Sequence, residues 1–296
     1  MIETHIGAIQ TWECDVMGHL NVRFYVSRAS EGLAILAHEL GVDGDLRLQP
    51  LDHHIRFLRE LRPGTPIRVF AGIAALRETS LQVYLEIRNA ATDVPAATFI
   101  ADTVLLDEAG DRVALPAAVA DRARRLAVDI PAHGAPRGLT LAPPGPAPTL
   151  QQAEALNLLR CYQGVVDPEQ CDLAGRMLVP FFMARVADSM PNLVARTRGT
   201  DRGVDDKVGG AALEYRLVYR RWPRVGDLLT LQSGIKDIRG KTFTWGHWLF
   251  DMKTGAAVMT AEMIGVAFDL VERKALDLTD DYRKSLQAIM VEGLIV

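Results

Sequence analysis

Apolar and polar positions along the chain follow two different periods, and the order of those periods occurs twice. A helical period lies at about 23–40, where Ala29, Leu33, Leu36, Ala37 and Leu40 recur at spacings of three and four. That is the stripe by which a helix packs onto a neighbouring layer, and Gly41 stands where such a helix would stop. Two-residue alternation then takes over, most plainly in Leu81-Gln82-Val83-Tyr84-Leu85-Glu86-Ile87. This is the pattern of an antiparallel sheet with one covered face. Strands are predicted at about 3–13, 51–60, 66–77, 79–90 and 95–107, separated by turns such as Arg62-Pro63-Gly64 and Ala91-Thr92-Asp93. A helix at about 180–197 and strands at about 159–167, 211–221, 227–238, 241–252 and 256–269 repeat the order. Each copy ends in a short helical tail, from Pro116 and from Thr279.

Residue identities follow the same repeat. Cys14-Asp15-Val16-Met17-Gly18 returns as Cys171-Asp172-Leu173-Ala174-Gly175, 157 residues on. The same offset pairs Phe24 with Phe181, Arg28 with Arg185 and Glu31 with Asp188. From Gly64 and Gly226 the offset becomes 162 and holds through Arg77 with Arg239, Thr92 with Thr254, Thr98 with Thr260 and Asp107 with Asp269. A stable offset over this many pairs marks an internal duplication. The expected organisation is an N-terminal domain at 1–128, a Pro-rich linker at 129–158 and a C-terminal domain at 159–296. The stretch Ile130 to Pro148, with Pro131, Pro136, Pro143, Pro144, Pro146 and Pro148, reads as a stiff, extended connection. One helix plus an antiparallel sheet in each copy gives an α+β unit of two layers.

Composition narrows the function classes. The chain has 296 residues, enough for two domains of ordinary size, and its 49% hydrophobic residues suffice for two cores. A net charge of −4 gives no global reason to expect nucleic acid. The start, Met1-Ile2-Glu3-Thr4-His5, lacks the basic and apolar regions of a signal peptide. No apolar run approaches the ~20 residues of a membrane span. Three cysteines, Cys14, Cys161 and Cys171, without a Cys-x-x-Cys, suggest reduced thiols in a cytoplasm. No Gly-x-Ser-x-Gly elbow, phosphate-binding Gly-x-x-x-x-Gly-Lys or dinucleotide Gly-x-Gly-x-x-Gly occurs. The seven histidines show no zinc spacing with cysteine, so neither a metal nor a cofactor is expected.

The residues at the repeated turn suit acyl-transfer chemistry. Asp15 lies in a glycine-containing turn just before a helix. The unpaired N–H groups at a helix start carry partial positive charge and can polarise a carbonyl. A thioester loses its thiolate with little help from an acid, so a carboxylate and a few donors could suffice. Gly18 and Gly175 would permit close backbone approach. Taken alone, Asp15 reads first as an ordinary turn or capping aspartate.

Asp15-Val16-Met17-Gly18-His19-Leu20-Asn21 resembles the Asp-x-x-Gly-His-(Leu/Val)-Asn signature of the 4-hydroxybenzoyl-CoA thioesterase family, whose fold is the hotdog. The resemblance covers nearly the whole chain once per repeat, and it implies a tandem hotdog acyl-CoA thioesterase. It implies two hotdogs forming an intramolecular pseudo-dimer, antiparallel sheets wrapped on central helices. It also implies catalysis by Asp15, as general base or nucleophile, and the equivalent role for Asp172. The Val22 amide is then the oxyanion donor, with Val179 in the same place in the second copy, and His19 and Asn21 orient the turn. The second copy reads Gly175-Arg176-Met177-Leu178 where the first has Gly-His-Leu-Asn, which puts its activity in doubt. Tyr25, with Phe182 as counterpart, reads as core.

Gly234-Ile235-Lys236-Asp237-Ile238-Arg239-Gly240-Lys241-Thr242-Phe243 resembles the family segment whose basic side chains contact the phosphates of CoA. Arg239 and Lys241 fit that role, and the first copy keeps Arg77. The alternative is a solvated hairpin. A composite site, with the turn from one copy and the phosphate grip from the other, is the arrangement the resemblance suggests. The arginines Arg56, Arg59 and Arg62, and Arg216, Arg220, Arg221 and Arg224, are read as strand-edge solvation. The expected partner is an acyl-CoA or related acyl-thioester, with no nucleic acid or membrane, and tandem chains could assemble into a homo-oligomer. Two rival functions stay in view. A hotdog hydratase or dehydratase would need Asp-x-x-x-x-His or His-x-x-x-x-Pro-Gly, but Leu20 and Leu58 stand at the required positions. A non-catalytic acyl-CoA-binding module would have no need to retain Asp15.

Overall fold

The computed structural model describes residues 1–198 and 208–296 of the chain. It divides into two units, Met1–Arg137 and Gly138–Val296, so the boundary falls within the Pro-rich segment.

In the first unit, β1 (Ile2–Ala8) leads through a short 3₁₀ turn, Thr11–Glu13, to helix α1 (Val22–Glu39). There follow β2 (Arg47–Pro50), β3 (Asp52–Phe57), β4 (Pro66–Leu76), β5 (Leu81–Asn89), β6 (Val94–Leu106), β7 (Arg112–Val113) and helix α2 (Ala117–Arg125). The strand expected to run from 3 to 13 ends early. The Gln10 amide is bonded to the Glu13 carboxylate, which folds the chain into the 3₁₀ turn. The antiparallel sheet order is β1-β4-β5-β6-β3, with β2 and β7 also on β6. Helix α1 buries Tyr25, Val26, Ala29, Gly32, Leu33 and Leu36 and packs on β1, β4 and β5. Each large aliphatic side chain on this face contributes about 1.5–3 kcal/mol by leaving water. Gly32 sets the approach distance: a Cβ there would lie 2.9 Å from Thr4 Oγ1 and 3.0 Å from a Val69 methyl.

The second unit begins with helix α3 (Leu150–Ala155) and β8 (Leu159–Val165), followed by a 3₁₀ turn and helix α4 (Pro180–Arg198). Next come β9 (Val208–Tyr219), β10 (Leu228–Arg239), β11 (Thr242–Asp251), β12 (Ala257–Asp269), β13 (Lys274–Ala275) and helix α5 (Asp280–Gln287). Its antiparallel order is β9-β12-β11-β10-β8, with β13 on β12. This matches the first unit strand for strand, and even the irregularities recur. The bulge at Thr4 between β1 and β4 reappears at Cys161 between β8 and β10. The one at Ala74 between β4 and β5 reappears at Lys236 between β10 and β11. Bulges fix register, so their repetition carries the duplication from sequence to hydrogen bonds.

The Pro-rich segment is packed, contrary to the expectation of a free extended connection. An irregular proline-containing chain has carbonyls but few amides to pair with neighbours, and its oxygens need outside donors. Arg56 donates to the carbonyls of His133 at 2.9 Å and Ala135 at 3.1 Å. Arg216 serves Ala142 and Arg220 serves Gly145, at 2.6 and 2.9 Å. These three arginines therefore hold chain rather than solvate strand edges. His133 meets the buried carboxylate of Glu86 at 2.6 Å, beside the Tyr84 hydroxyl at 2.7 Å. In the second unit the equivalent face is apolar: Trp248 and Phe250 pack with Leu158, Ala153 and Leu294.

Candidate active site

The local fold around Asp15 explains its position. The Asp15 N–H donates to the His19 carbonyl at 2.9 Å, and the Gly18 N–H donates back to the Asp15 carbonyl at 3.0 Å. Gly18 takes φ of 76°, the left-handed region where a side chain would be strained. The Leu20 amide is bonded to the Leu61 carbonyl at 2.8 Å, and the Asn21 amide to the Glu13 carbonyl at 2.9 Å. Asn21 then caps α1, its side chain accepting from the Arg23 N–H at 3.0 Å. Val22 is the first residue of α1, so its N–H has no carbonyl one turn back to reach.

The Asp15 side chain is held lightly. One oxygen, Oδ1, accepts from the Met17 N–H at 2.8 Å. The other, Oδ2, lies 3.4 Å from Nδ1 of His19, whose Nε2 lies 3.7 Å from Oε1 of Glu60. The imidazole is thus bracketed by two carboxylates. Glu60 escaped the sequence reading because it is 45 residues from Asp15 and belongs to no motif. Tyr25 places it. Its hydroxyl donates to the Arg59 carbonyl at 3.3 Å and accepts from the Leu61 N–H at 3.2 Å, pinning the backbone on both sides of Glu60. Tyr25 is core, as expected, but core with a task, and burial pushes its phenol pKa well up.

A second missed feature braces the turn from behind. Glu13 is buried, pairs with Arg28 of α1 and accepts from the Gln10 N–H at 2.8 Å. Arg28 continues to Glu31 at 3.1 Å, and Glu31 to His5 at 2.9 Å. This is the physical content of the Arg28–Arg185 and Glu31–Asp188 pairs in the repeat. In the second unit Arg185 contacts Gln170 and lies over the Tyr162 ring at 5.1 Å, so the brace survives there with an amide oxygen and a ring face in place of the carboxylate.

The turn at Asp172 has the same backbone and different side-chain bonding. Asp172 and Gly175 repeat the two backbone bonds, both at 2.9 Å, and Gly175 has φ of 73°. Here Oδ1 accepts from the amides of Ala174 and Arg176, each at 2.9 Å, and Oδ2 is clamped by Arg176 Nε at 2.8 Å. Arg176 occupies the place of His19 and Trp222 the place of Glu60. Val179 stands one residue before α4, whose first residue is Pro180.

The basic candidates sit on exposed hairpins with acidic neighbours. Arg77 meets Asp102 at 2.9 Å, Arg239 pairs with Asp237, and Lys241 lies 3.2 Å from Asp277. Among the described residues, no three His, Cys, Asp or Glu side chains gather as a metal ion would require. No described helix is long and apolar enough to cross a membrane.

Fold and turn together define the class: two α+β hotdog units in tandem, each an antiparallel sheet around one helix with an Asp-x-x-Gly turn at the helix start. Residues 9–123, within the first unit, match the thioesterase-like superfamily. Among solved structures, a 12:0-ACP thioesterase from Umbellularia californica is similar over 89% of this chain and 93% of its own, with TM-score 0.66 and 13% identity. An acyl-ACP thioesterase from Bacteroides thetaiotaomicron is similar over 88% of this chain and 96% of its own, with TM-score 0.64 and 9% identity. At these identities the likeness establishes the fold. No curated protein matches the sequence.

Proposed function

We propose that the protein hydrolyses acyl thioesters, of CoA or of a carrier protein, at the turn carrying Asp15. The observation that carries this reading is the contrast between the two aspartates. Asp172 has both oxygens committed to three donors, one of them a guanidinium, whereas among the described residues Asp15 Oδ2 faces a histidine at 3.4 Å and no guanidinium. A carboxylate can take a proton or attack a carbonyl only through an available lone pair. In the proposed reaction the thioester carbonyl lies against the Val22 N–H at the start of α1, where the helix dipole favours growing negative charge. Asp15 takes a proton from the attacking water, or attacks directly and is then hydrolysed. In either route the carbon–sulfur bond breaks, the electron pair leaves with sulfur, and a carboxylic acid and a thiol result. His19, steadied by Glu60, keeps Oδ2 oriented toward the substrate. Arg239, Lys241 and Arg77 are proposed to meet phosphates of the thioester carrier.

The test is an acyl-CoA panel with a thiol reagent. Thiol release that disappears in Asp15→Asn supports the proposal. Acyl-CoA binding without thiol release would instead identify a binding module, and hydration of an enoyl ester would identify a hydratase. Label in the Asp15 carboxylate after single turnover in ¹⁸O-water identifies direct attack with water opening the mixed anhydride at the Asp15 carbonyl, whereas label confined to the acid product is common to both routes.

A further inference from the structure

Glu13 stands where three segments of the first unit meet. It precedes Asp15 by two residues, and its carbonyl accepts from the Asn21 N–H at 2.9 Å, one residue before Val22. Its buried side chain uses each oxygen for a different donor. Oε2 accepts from the Gln10 N–H at 2.8 Å, and Oε1 pairs with Arg28. Arg28 lies six residues after Val22 in the same helix, α1. One carboxylate thus joins the chain after β1, the stem of the Asp15 turn and the body of the helix that presents the Val22 N–H.

The repeat separates what folding needs from what the first unit adds. Gln170 holds the place of Glu13, and its carbonyl accepts from the Leu178 N–H at 2.9 Å, as that of Glu13 does from Asn21. Its side-chain Oε1 accepts from the Asp167 N–H at 3.2 Å and also from Arg185. One amide oxygen therefore serves two donors, and the same turn forms around it. A carboxylate is not needed to fold this turn. It stands in the unit whose catalytic candidate is lightly held, and there it gives each donor a charged oxygen of its own. Charge-assisted bonds are shorter and roughly twice as strong as neutral ones, which stiffens the junction.

We propose that Glu13 and Arg28 are positioning residues for the thioester reaction, holding the Val22 N–H in fixed relation to the Asp15 carboxylate. The two reactive groups belong to different elements, a turn and a helix, and the ion pair ties those elements together. A donor to an oxyanion must be in place before the charge develops. A misplacement of ~1 Å can cost as much as ~10²-fold in rate. The proposal rests on the hydrolase reading and adds to it the residues that keep its base and its oxyanion donor in register.

The experiment compares the full-length Glu13→Gln variant, which carries the residue of the second unit, with the wild type. It measures thiol release from acyl-CoA esters and amide hydrogen exchange at Asn21 and Val22 by NMR. We expect kcat to fall roughly 5–20-fold with KM changed less than about 2-fold, because an oxyanion donor is felt mainly in the transition state. Exchange at Asn21 should quicken roughly 5-fold or more, while α1 from Ala29 onward keeps its protection. Arg28→Lys, which keeps the charge but not the fork, should move both readouts in the same direction, and it carries the comparison if Glu13→Gln does not fold. Unaltered exchange or unaltered kcat in a folded variant overturns the proposal, as does a loss that falls on KM, and the pair is then a stabilising brace alone. Absence of thiol release from every ester by the wild type sinks the hydrolase reading instead, and the exchange comparison still decides whether the pair holds the donor.

Discussion

The two aspartates should respond to the same substitution in opposite ways. Asp15→Asn keeps the Oδ1 acceptor for the Met17 amide and gives up only a contact with His19 at 3.4 Å between partly exposed groups. Its cost in stability should stay below ~1 kcal/mol. The basic oxygen is lost, however, and turnover should fall by ~10²–10⁴, or about 3–5 kcal/mol of transition-state stabilisation. Asp172→Asn can retain both amide bonds to Oδ1 but replaces the charge-assisted bond from Arg176 Nε, 2.8 Å long, with a weaker one or none. Discounted for the partial exposure of the pair, that loss is about 1–2 kcal/mol, which lowers Tm by a few degrees. Activity should change less than ~3-fold, apart from any unfolded fraction. Steady-state thiol release and thermal melting of both variants, at one temperature and buffer, measure the crossed pattern. Equal losses of turnover would refute the argument, because lone-pair availability would then not separate the two turns.

Three further outcomes follow from particular contacts. Glu60→Gln should lower kcat/KM on the order of 10-fold with little change in Tm, since it removes one of the two charges bracketing His19; full activity would remove Glu60 from the site. Arg239→Ala with Lys241→Ala should raise KM for CoA esters far more than it lowers kcat, and less so at high salt, because exposed phosphate contacts bind ground and transition states alike; an unchanged KM would take that hairpin out of the substrate site. Burial pushes the His247 pKa down to about 3, so the unfolded chain binds a proton there that the folded chain refuses. Its contribution to stability is complete above the ordinary histidine pKa near 6.5 and is lost as pH falls from there toward about 3, at about 1.4 kcal/mol per unit. His247→Leu should flatten that acid limb in chemical unfolding at pH 7 and pH 5, and an unaltered slope would refute the assignment.

Much of the fold was legible because its determinants are local or repeated. The three- and four-residue spacing in α1, the alternation in β5 and the glycine turns place most elements within a few residues, and the offset of identities supplies the duplication. The Asp-x-x-Gly turn was legible for the same reason. What sequence did not yield are contacts made across tens of residues by types common everywhere. Glu60 beside His19, Glu13 beneath Arg28 and the arginines holding the Pro-rich segment are examples. A glutamate or arginine in isolation looks like solvated surface. One clue was present: Arg28 and Arg185 recur on helix faces where a solvated arginine has no reason to be kept, and both proved to be braces.

The departures of the second unit from the first are coordinated, and this bears on what its turn is for. The cap of α1 joins the Asn21 side chain to the Arg23 amide; in α4 the same places hold Leu178 and Pro180, so acceptor and donor vanish together. Tyr25, which pins the backbone beside Glu60, becomes Phe182, and Glu60 becomes Trp222; the two rings now pack edge-to-face at 5.3 Å. His19 becomes Arg176, which neutralises Asp172 instead of orienting it. Removing one member of a buried polar pair strands the other, whereas replacing both with apolar groups is nearly neutral. Each change therefore keeps the turn folded while dismantling the arrangement around the carboxylate. Restoring His19 alone, by Arg176→His, should release Asp172 without creating activity, because Trp222 offers no second carboxylate and Phe182 no hydroxyl to hold one. Thiol release gained by Arg176→His in an Asp15→Asn background would show that the histidine by itself is enough, and would contradict the role assigned to Glu60.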